Sequence, residues 1–392
     1  MDYGFIRVAA AVPELKVANC RYNAERIIEL IKKAEEKGIK IVVFPELSIT
    51  AYTCGDLFHQ DMLLKDAQTQ LGRILDETRG NNIVSIVGMP LSADNQLYNC
   101  AVVLQSGKIL GVIPKIYIPN YSEFYEQRWF SSGSKAASDS VFISGQYAPF
   151  GTDIVFEDRW HKELCFGVEI CEDLWVPIPP SSLLAMQGAT IIFNPSASNE
   201  LIGKYEYRKE LVRQQSAKCI AGYVYTSSNI NESTTDVVFG GHAMISEYGS
   251  LLAESERFSE KEQLIYSEID LHKLVNDRRK NTSFMEHRKD YLKSCRKVQF
   301  EPGESRIDSL NRHIDPHPFV PSNAASRDIR CSEIFSIQTS ALVKRIKHTG
   351  AKYAVIGISG GLDSTLALLV IAKAYDKLGI DRSNIIGVTM PG

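Results

Sequence analysis

The sequence predicts an α/β protein with two domains, and three observations support that prediction. Over residues 1–270, stretches with apolar residues at helical spacing alternate with short, nearly continuous apolar runs, which are typical of buried strands. A proline-rich segment with few apolar residues follows. After it come a strand, a glycine-containing loop, a helix and a second strand, the order that opens a parallel, Rossmann-like nucleotide-binding sheet.

The composition is that of a globular protein with no overall basic charge. Of 392 residues, 44% are hydrophobic and 23% are charged, which excludes a disordered or fibrous chain. Lys and Arg number 44 against 47 for Asp and Glu, so we expect binding to neither nucleic acid nor membranes. No apolar run approaches the ~18 residues that span a bilayer. The eight cysteines contain no C-x-x-C pair and are typical of reduced thiols, which predicts a cytoplasmic location.

The first two helix–strand pairs are predicted from apolar spacing. Asn23 is predicted to cap a helix that Gly38 ends, because the apolar residues between them recur at helical spacing. The apolar run 39–44 predicts a buried strand. A second helix, closed by Gly80, and a second strand over 83–89 repeat the alternation.

The rest of residues 1–270 is predicted to be rich in strands. Runs 97–105 and 108–114 flank Ser106-Gly107, a dipeptide that favours a hairpin turn. Five further strands are predicted over 164–170, 190–194, 223–228, 242–247 and 263–269. Many strands with interspersed helices indicate a layered domain with a mixed sheet, ending near residue 270.

Residues 271–326 are predicted to connect the two domains. Nine Lys or Arg stand against three Asp or Glu in 271–300, a pattern that favours a solvated helical surface. Four prolines and few apolar residues then mark 301–326 as a linker. The second domain is predicted over 327–392. It begins with a helix and continues with a strand over 352–358, a helix over 365–378 and a strand over 384–390.

Three chemically capable residues each stand where an apolar strand ends: Glu46, Lys115 and Cys171. Strand ends deliver side chains into a shared cleft on a rigid scaffold. A thiol is a strong nucleophile only as the thiolate, so it needs a base or a neighbouring cation. Glu46 can take the proton, and Lys115 can stabilise the oxyanion that forms when a carbonyl is attacked. The backbone N–H of Glu172 can be a second oxyanion donor, so the set suits attack on an amide carbon.

Each of these residues alone has an ordinary explanation. A cysteine after a strand is more often a small buried residue than a nucleophile. A Cys–His hydrolase has no local signature here. The histidines at 59, 161 and 242 have no partner at metal-ligand spacing, and no H-E-x-x-H occurs. The combination of the three residues, and not any one of them, favours catalysis.

Segments 43–47, 114–121 and 169–175 resemble the three signatures of the nitrilase, or carbon–nitrogen hydrolase, superfamily in composition, order and spacing. The resemblance covers about residues 3–270. It implies an α-β-β-α sandwich and a triad in which Glu46 is the general base, Lys115 the stabilising cation and Cys171 the acylated nucleophile. It also implies a second glutamate after the lysine, for which Glu126 is the better match and Glu123 the weaker one.

A six-residue loop in the second domain has the features of a phosphate site: Ser359, Gly360, Gly361, Leu362, Asp363 and Ser364. Glycines let backbone N–H groups approach a phosphate, hydroxyls add donors, and the following helix N-terminus favours an anion. No lysine follows the glycines, so this is not the G-x-x-x-x-G-K-[ST] loop. The segment resembles the S-G-G-x-D-S pyrophosphate loop of enzymes that split ATP into AMP and pyrophosphate, and Asp363 is the candidate Mg²⁺ ligand.

Together, the two domains resemble the family of glutamine-dependent NAD⁺ synthetases. By motif match, Tyr121, Ser198 and Lys204 are the candidates for binding glutamine, with Glu126 and Glu172 in supporting roles. The resemblance implies that glutamine is hydrolysed without a cofactor in the first domain. The ammonia then amidates adenylated deamido-NAD⁺ in the second domain, where ATP is split into AMP and pyrophosphate with Mg²⁺ as the cofactor.

The resemblance also implies small-molecule substrates and a homo-oligomer. Because the chain stops directly after a predicted strand of the second domain, we expect it to be competent only for the glutaminase half. Two alternatives stay open at this stage. One is a stand-alone amidase or carbamoylase of the nitrilase superfamily, and the other is a non-catalytic module that binds a nucleotide or serves as a regulatory subunit.

Overall fold

The computed structural model describes residues 3–286, 295–303, 307–320 and 323–389. The chain divides into two compact units, Met1–His313 and Ile314–Gly392. The strands are β1 (Phe5–Val12), β2 (Ile41–Val43), β3 (Val84–Ala93), β4 (Gln96–Gln105), β5 (Lys108–Pro114), β6 (Ser140–Ile143), β7 (Gln146–Pro149), β8 (Ile154–Asp158), β9 (Cys165–Val168), β10 (Ile191–Ser196), β11 (Gly222–Ser227), β12 (Met244–Glu247), β13 (Ser250–Glu254), β14 (Gln263–Asp270), β15 (Arg296–Phe300), β16 (Ala354–Gly357) and β17 (Ile385–Val388). The helices are α1 (Cys20–Glu36), α2 (Asp61–Glu77), α3 (Pro180–Gln187), α4 (Lys204–Lys218), α5 (Leu271–Lys280), α6 (Thr282–Glu286), α7 (Ala324–Thr349) and α8 (Leu362–Leu378). No helix in these described ranges is long and apolar enough to cross a membrane.

Two mixed sheets form the first unit. The order of the six-stranded sheet is β14-β1-β2-β3-β4-β5, and that of the seven-stranded sheet is β13-β12-β11-β10-β9-β8-β15. Side chains from the inner faces of both sheets share one apolar core, which includes Val8, Ile86, Phe166 and Ile245. Because successive side chains of a strand point to opposite faces, the alternate residues of β1 enter a second core, under α1 and α2.

A third core packs α3 and α4 against the outer face of the seven-stranded sheet. The layers therefore run helix, sheet, sheet, helix, and the α/β sandwich that the sequence predicts is confirmed. Both faces of each sheet are covered, which explains why strands such as β2 are apolar throughout and show no polar alternation. The Ser106-Gly107 hairpin is confirmed as well, since β4 and β5 pair antiparallel across it.

Helix α1 begins earlier than the sequence predicts, and its cap is a different asparagine. Asn19 is the N-cap, and its side chain accepts a hydrogen bond from the Tyr22 N–H at 3.1 Å. Asn23 lies inside the helix and is fully buried. Its amide accepts from the Lys16 N–H and donates to the carbonyls of Lys16 and Ile49, at 2.7 to 3.0 Å. The prediction that Asn23 caps the helix was wrong, because a tertiary contact and not a local one uses its amide.

The basic segment after residue 270 packs into the first unit more closely than the sequence suggests. Arg278 of α5 is buried, and its guanidinium donates to the carbonyls of Ala189, Cys219 and Ile220. Strand β15 pairs in parallel with β8 at the edge of the seven-stranded sheet. The expectation of a solvated helical surface was therefore wrong for Arg278 and for β15. The boundaries at residues 270 and 326 remain predictions, and residues 287–294 lie outside the described part.

The second unit contains the predicted strand–loop–helix–strand motif. Strands β16 and β17 pair in parallel, as expected for the start of a parallel sheet. Helices α7 and α8 enclose a small core around Ile346, Ala374 and Tyr375. Helix α8 begins at Leu362, three residues before its predicted start. The predicted end of the last strand, Met390, lies outside the described residues.

The two asparagines of α1 provide a test of the burial argument. We expect Asn23→Ala to lower the free energy of unfolding by about 2–3 kcal/mol, because it leaves buried backbone groups without partners. Asn19→Ala removes only an exposed cap and should cost about 1 kcal/mol. Urea unfolding of both variants measures the difference. An equal or larger cost for Asn19→Ala would contradict the assignment of the cap.

Candidate active site

The three residues predicted from the strand ends lie between the two sheets. Glu46 follows β2 and Lys115 follows β5, both in the six-stranded sheet, whereas Cys171 follows β9 in the facing sheet. The Glu46 N–H donates to the carbonyl of Ser196 on β10, which joins the two sheets at this point. Gly88 of β3 leaves room for the backbone that carries Glu46, since a Cβ there would overlap the backbone of residues 45–47.

Lys115 is fully buried between two carboxylates. Its Nζ lies 2.7 Å from Glu46 Oε1 and 2.9 Å from each carboxylate oxygen of Glu126. Asn99 donates to the same Glu46 oxygen at 2.6 Å, and the Tyr52 hydroxyl donates to Glu126 at 2.7 Å. Glu46 Oε2 is buried and accepts no hydrogen bond from the described residues. One carboxylate oxygen of Glu46 therefore has its accepting capacity free.

Burial and mutual charge set the protonation states of this cluster. Burial raises the pKa of Glu126 to about 7, although Lys115 acts in the opposite direction. Burial alone would lower the pKa of Lys115, but Glu126 and Glu46 raise it well above its ordinary value. Lys115 is therefore a permanent cation at neutral pH, and it is shared between two acids.

Cys171 has a left-handed backbone, with φ +46°, at the start of the short 3₁₀ helix Cys171–Leu174. Its thiol is buried. Burial, and after it the Glu46 carboxylate, raise the pKa of Cys171 well above its ordinary value, while Lys115 lowers it. The free protein therefore holds a neutral thiol at this position. The N–H of Glu172 lies in the first turn of the same helix, where N–H groups have no intrahelical partner.

Asp173, which sequence reasoning missed, ties the Cys171 segment to the Lys115 segment. One of its carboxylate oxygens accepts from the Ile170 N–H at 2.9 Å, and the other accepts from the N–H of Tyr117 at 2.8 Å. Burial raises the pKa of Asp173 to about 8, while the backbone donors lower it. An acidic residue two positions after the cysteine was the available signal, but its backbone partners are distant in sequence.

Two of the three predicted glutamine-binding residues line the mouth of the site. The Tyr121 hydroxyl donates to Glu172 at 2.8 Å, and the Tyr121 side chain is 54% exposed. Lys204 Nζ lies 2.5 Å from Asn199 Oδ1, and Asn199 in turn donates to Glu123 at 2.7 Å. Burial lowers the pKa of Lys204. The mouth thus carries a cation beside acidic groups. Of the two candidates for the second glutamate, Glu123 therefore lies at the mouth, whereas Glu126 contacts Lys115.

Ser198, the third predicted residue, lies deeper, on a buried arginine. Its hydroxyl accepts from Arg208 at 3.3 Å, and Arg208 also pairs with Glu200 at 2.6 Å and donates to His242 Nδ1 at 3.0 Å. Burial and the Arg208 charge lower the pKa of His242 to about 3. Sequence reasoning missed Arg208, because a basic residue inside a helix is usually solvated.

The predicted phosphate loop lies between β16 and α8. Gly360 is left-handed, with φ +83°, and Gly361 is the N-cap of α8 and offers no side chain to its free N–H groups. The hydroxyls of Ser359 and Ser364 lie 3.3 Å apart. Leu362, Asp363 and Ser364 form the first helical turn. Exposed N–H groups and two hydroxyls suit a phosphate. No group of three or more metal-ligating side chains occurs in the described ranges, and Asp363 as an Mg²⁺ ligand stays a prediction.

Family models match both units. Residues 7–279 match the carbon–nitrogen hydrolase model, and residues 334–392 match the NAD synthase model. The glutamine-dependent NAD(+) synthetase of Mycobacterium leprae is 38% identical over 99% of this chain and 58% of its own length. That of Thermotoga maritima is 27% identical over 98% of this chain and 60% of its own length. The chain thus spans about three fifths of the length of these two relatives.

Solved structures share the fold. A glutamine-dependent NAD(+) synthetase from Cytophaga hutchinsonii superimposes with a TM-score of 0.61 at 24% identity, over 95% of this chain and 52% of that one. The Acinetobacter baumannii enzyme, in complex with ADP, gives 0.56 at 23% identity, over 99% of this chain and 60% of that one. A carbon–nitrogen hydrolase from Helicobacter pylori superimposes with a TM-score of 0.57 at 20% identity, over 74% of this chain and 97% of that one.

The buried Arg208–His242 contact predicts a pH dependence of stability. Folding lowers the pKa of His242 from its ordinary value of 6.5 to about 3. Between these two values, His242 is protonated in the unfolded chain but neutral in the folded one, so stability falls as pH falls. Between about pH 6.5 and about pH 4.5, we expect the wild type to lose roughly 2 kcal/mol more than His242→Gln. Urea unfolding at several pH values measures this, with the exposed His161→Gln as the control. Parallel curves for the wild type and His242→Gln would contradict it.

Proposed function

Because the chain belongs to the carbon–nitrogen hydrolase family, we propose that its first unit hydrolyses the side-chain amide of glutamine through Glu46, Lys115 and Cys171. The ammonia released would serve the amidation of deamido-NAD⁺ to NAD⁺. The observation that carries the proposal is the buried contact of Lys115 with Glu46 and Glu126, beside the Cys171 thiol. A buried cation shared by two acids is costly to keep unless the site uses it.

Acylation begins with the neutral thiol. Glu46 accepts the Cys171 proton, and its Oε2 is the oxygen with free accepting capacity. The thiolate sulfur then bonds to the amide carbon of glutamine, and the carbonyl oxygen becomes an oxyanion. When the carbon–nitrogen bond breaks, the nitrogen takes the proton from Glu46 and leaves as ammonia, so the thioester forms without net charge transfer.

Lys115 stabilises the oxyanion without leaving its carboxylates. Its Nζ has three N–H donors, which contact one oxygen of Glu46 and two of Glu126. One contact to Glu126 can be released while the other holds the ammonium in place. The freed N–H, with the backbone N–H of Glu172, then suits a developing oxyanion. Glu126 thus acts as the residue that fixes the cation.

Deacylation uses Glu46 as the base a second time, now with water as the proton donor. A water molecule gives its proton to Glu46 as its oxygen bonds to the thioester carbon. The carbon–sulfur bond then breaks, glutamate leaves, and the sulfur recovers a proton from Glu46. At the mouth, Lys204 suits the α-carboxylate of glutamine, while Tyr121 and Glu172 supply polar partners for its other groups. Ser198 lies deeper, against Arg208, and its role in glutamine binding stays a prediction.

In the second unit, we propose that Ser359 to Ser364 bind the phosphates of ATP. The glycine backbone, the hydroxyls of Ser359 and Ser364, and the uncapped helix N-terminus fit a pyrophosphate. Asp363 is the candidate Mg²⁺ ligand. ATP, when bound, supplies the adenylyl group that activates deamido-NAD⁺ and departs as AMP after amidation. The homo-oligomer and the cytoplasmic location remain predictions.

A stand-alone amidase is not favoured. Residues 334–392 match the NAD synthase model, a unit that simple amide hydrolysis does not require. The mycobacterial relatives also match 99–100% of this chain, including the second unit. The amidase structures from Nesterenkonia, at 16–17% identity, cover only 71–72% of this chain.

The triad proposal predicts the loss of glutaminase activity on removal of the thiol. Cys171→Ala should abolish glutamate release from glutamine, and Glu46→Gln should reduce it by roughly a thousandfold, since general-base catalysis contributes about 10²–10⁴. Cys165→Ala removes a buried sulfur from the neighbouring strand β9 and should leave the release unchanged. Glutamate release, with asparagine and acetamide as competitors, measures this. Release by Cys171→Ala, or faster turnover of acetamide than of glutamine, would contradict the proposal.

Glu126 predicts the shape of the pH profile. Its pKa is about 7, so it ionises as pH rises through neutrality. Ionised Glu126 accepts hydrogen bonds from Lys115 and fixes the ammonium beside the reacting carbonyl, so the rate should rise through about pH 7. Glu126→Gln should be at least about tenfold slower at high pH and should lack this inflection. An unchanged inflection in Glu126→Gln would show that another group titrates.

A further inference from the structure

A chain of buried polar side chains lies behind Cys171, and the acylation steps above do not use it. Glu169, Asn194 and Tyr223 are each at most 1% exposed. They lie on or directly after the adjacent strands β9, β10 and β11, which are hydrogen-bonded in parallel. Buried polar groups at such positions need partners, and here the partners are one another.

The hydrogen bonds run in one direction, from the nucleophile to a carboxylate. The Cys171 N–H donates to Asn194 Oδ1 at 3.1 Å, and Asn194 Nδ2 donates to the Tyr223 hydroxyl at 3.0 Å. The Tyr223 hydroxyl donates to Glu169 Oε1. The other oxygen of Glu169 accepts from the Ser181 N–H at 2.6 Å. Each bond polarises the next, which strengthens the chain as a unit.

The orientation of the Asn194 amide is fixed from both sides. Its Oδ1 also accepts from the Ser196 hydroxyl at 2.6 Å, so a flipped amide would turn its N–H group towards two donors. Tyr223 accepts from Asn194, and its own proton must therefore point to Glu169. No salt bridge joins Glu169 to a cation in the described part of the chain, so hydrogen bonds alone stabilise this buried acid.

Cys171 needs such support because its backbone is strained. A non-glycine residue with φ +46° costs of order 1–3 kcal/mol and persists only where its surroundings hold it. The hydrogen bond to Asn194 is the contact that holds its N–H. Without it, Cys171 would relax towards a negative φ, and its thiol would move relative to Glu46 and Lys115.

We propose that Asn194 is a positioning residue, held by Tyr223 and Glu169, that fixes Cys171 in the left-handed conformation required for acylation. This inference rests on the proposed function, because it assigns a role within the same site. It adds three residues to the site that do not touch the substrate. They act on the rate of acylation and not on the binding of the amide.

Alkylation of Cys171 by fluoroacetamide tests this inference on the 392-residue chain, with peptide mass measurement as the readout. Tyr223→Phe should lower the maximal alkylation rate about tenfold, the effect of losing a hydrogen bond worth about 1.4 kcal/mol. The fluoroacetamide concentration that gives half the maximal rate should change by less than about twofold. Glu169→Gln keeps an acceptor for the hydroxyl and should retain most of the rate. The matched control is Tyr98→Phe, since the Tyr98 hydroxyl is buried with no partner among the described residues.

The outcomes separate this inference from the function on which it rests. Equal alkylation rates in Tyr223→Phe and Tyr98→Phe would overturn the inference, as would an effect on half-saturation alone. If Tyr223→Phe does not fold, Glu169→Leu against Glu169→Gln gives the same comparison, and equal rates again overturn it. Failure of the wild-type chain to react at Cys171 would overturn the proposed function, and the inference with it.

Discussion

One buried cation organises the first unit: the Lys115 ammonium, held between Glu46 and Glu126. Removing three charges from water is unfavourable unless their geometry is good, and the cluster therefore needs a rigid support on every side. The six-stranded sheet supplies Glu46 and Lys115, and the facing sheet supplies Cys171. The common core between the sheets keeps them in register. The two-sheet sandwich is therefore what brings Glu46, Lys115 and Cys171 together, because no single sheet carries all three residues.

The same burial decides how the nucleophile is activated. Burial and the Glu46 carboxylate raise the pKa of the Cys171 thiol well above its ordinary value, so the thiol is neutral at rest. A permanent thiolate–cation pair, as used by many reactive cysteines, is therefore not the resting state here. In the proposed mechanism, the proton leaves only when a substrate carbonyl offers a place for the negative charge. We therefore expect such a site to react slowly with adventitious electrophiles and to form its thiolate only with a bound amide.

Much of the fold and the centre of the site could be predicted from the sequence, because both depend on local patterns. Apolar runs predicted most of the long strands, and the residues after three of them predicted Glu46, Lys115 and Cys171. The supporting residues could not be found in this way. Asn23, Asp173 and Asn194 bind backbone groups that are brought near only by the fold, and short edge strands such as β15 show no pattern without their neighbour.

The most direct test of this account is the titration of the Cys171 thiolate by its ultraviolet absorbance, as the difference between the wild type and Cys171→Ala. We predict no thiolate from Cys171 up to the ordinary thiol pKa of 9.0, because burial and Glu46 hold the proton in place. A thiolate that appears well below that pH would mean that Lys115 dominates the site. It would contradict the claim that Glu46 removes the proton only during acylation.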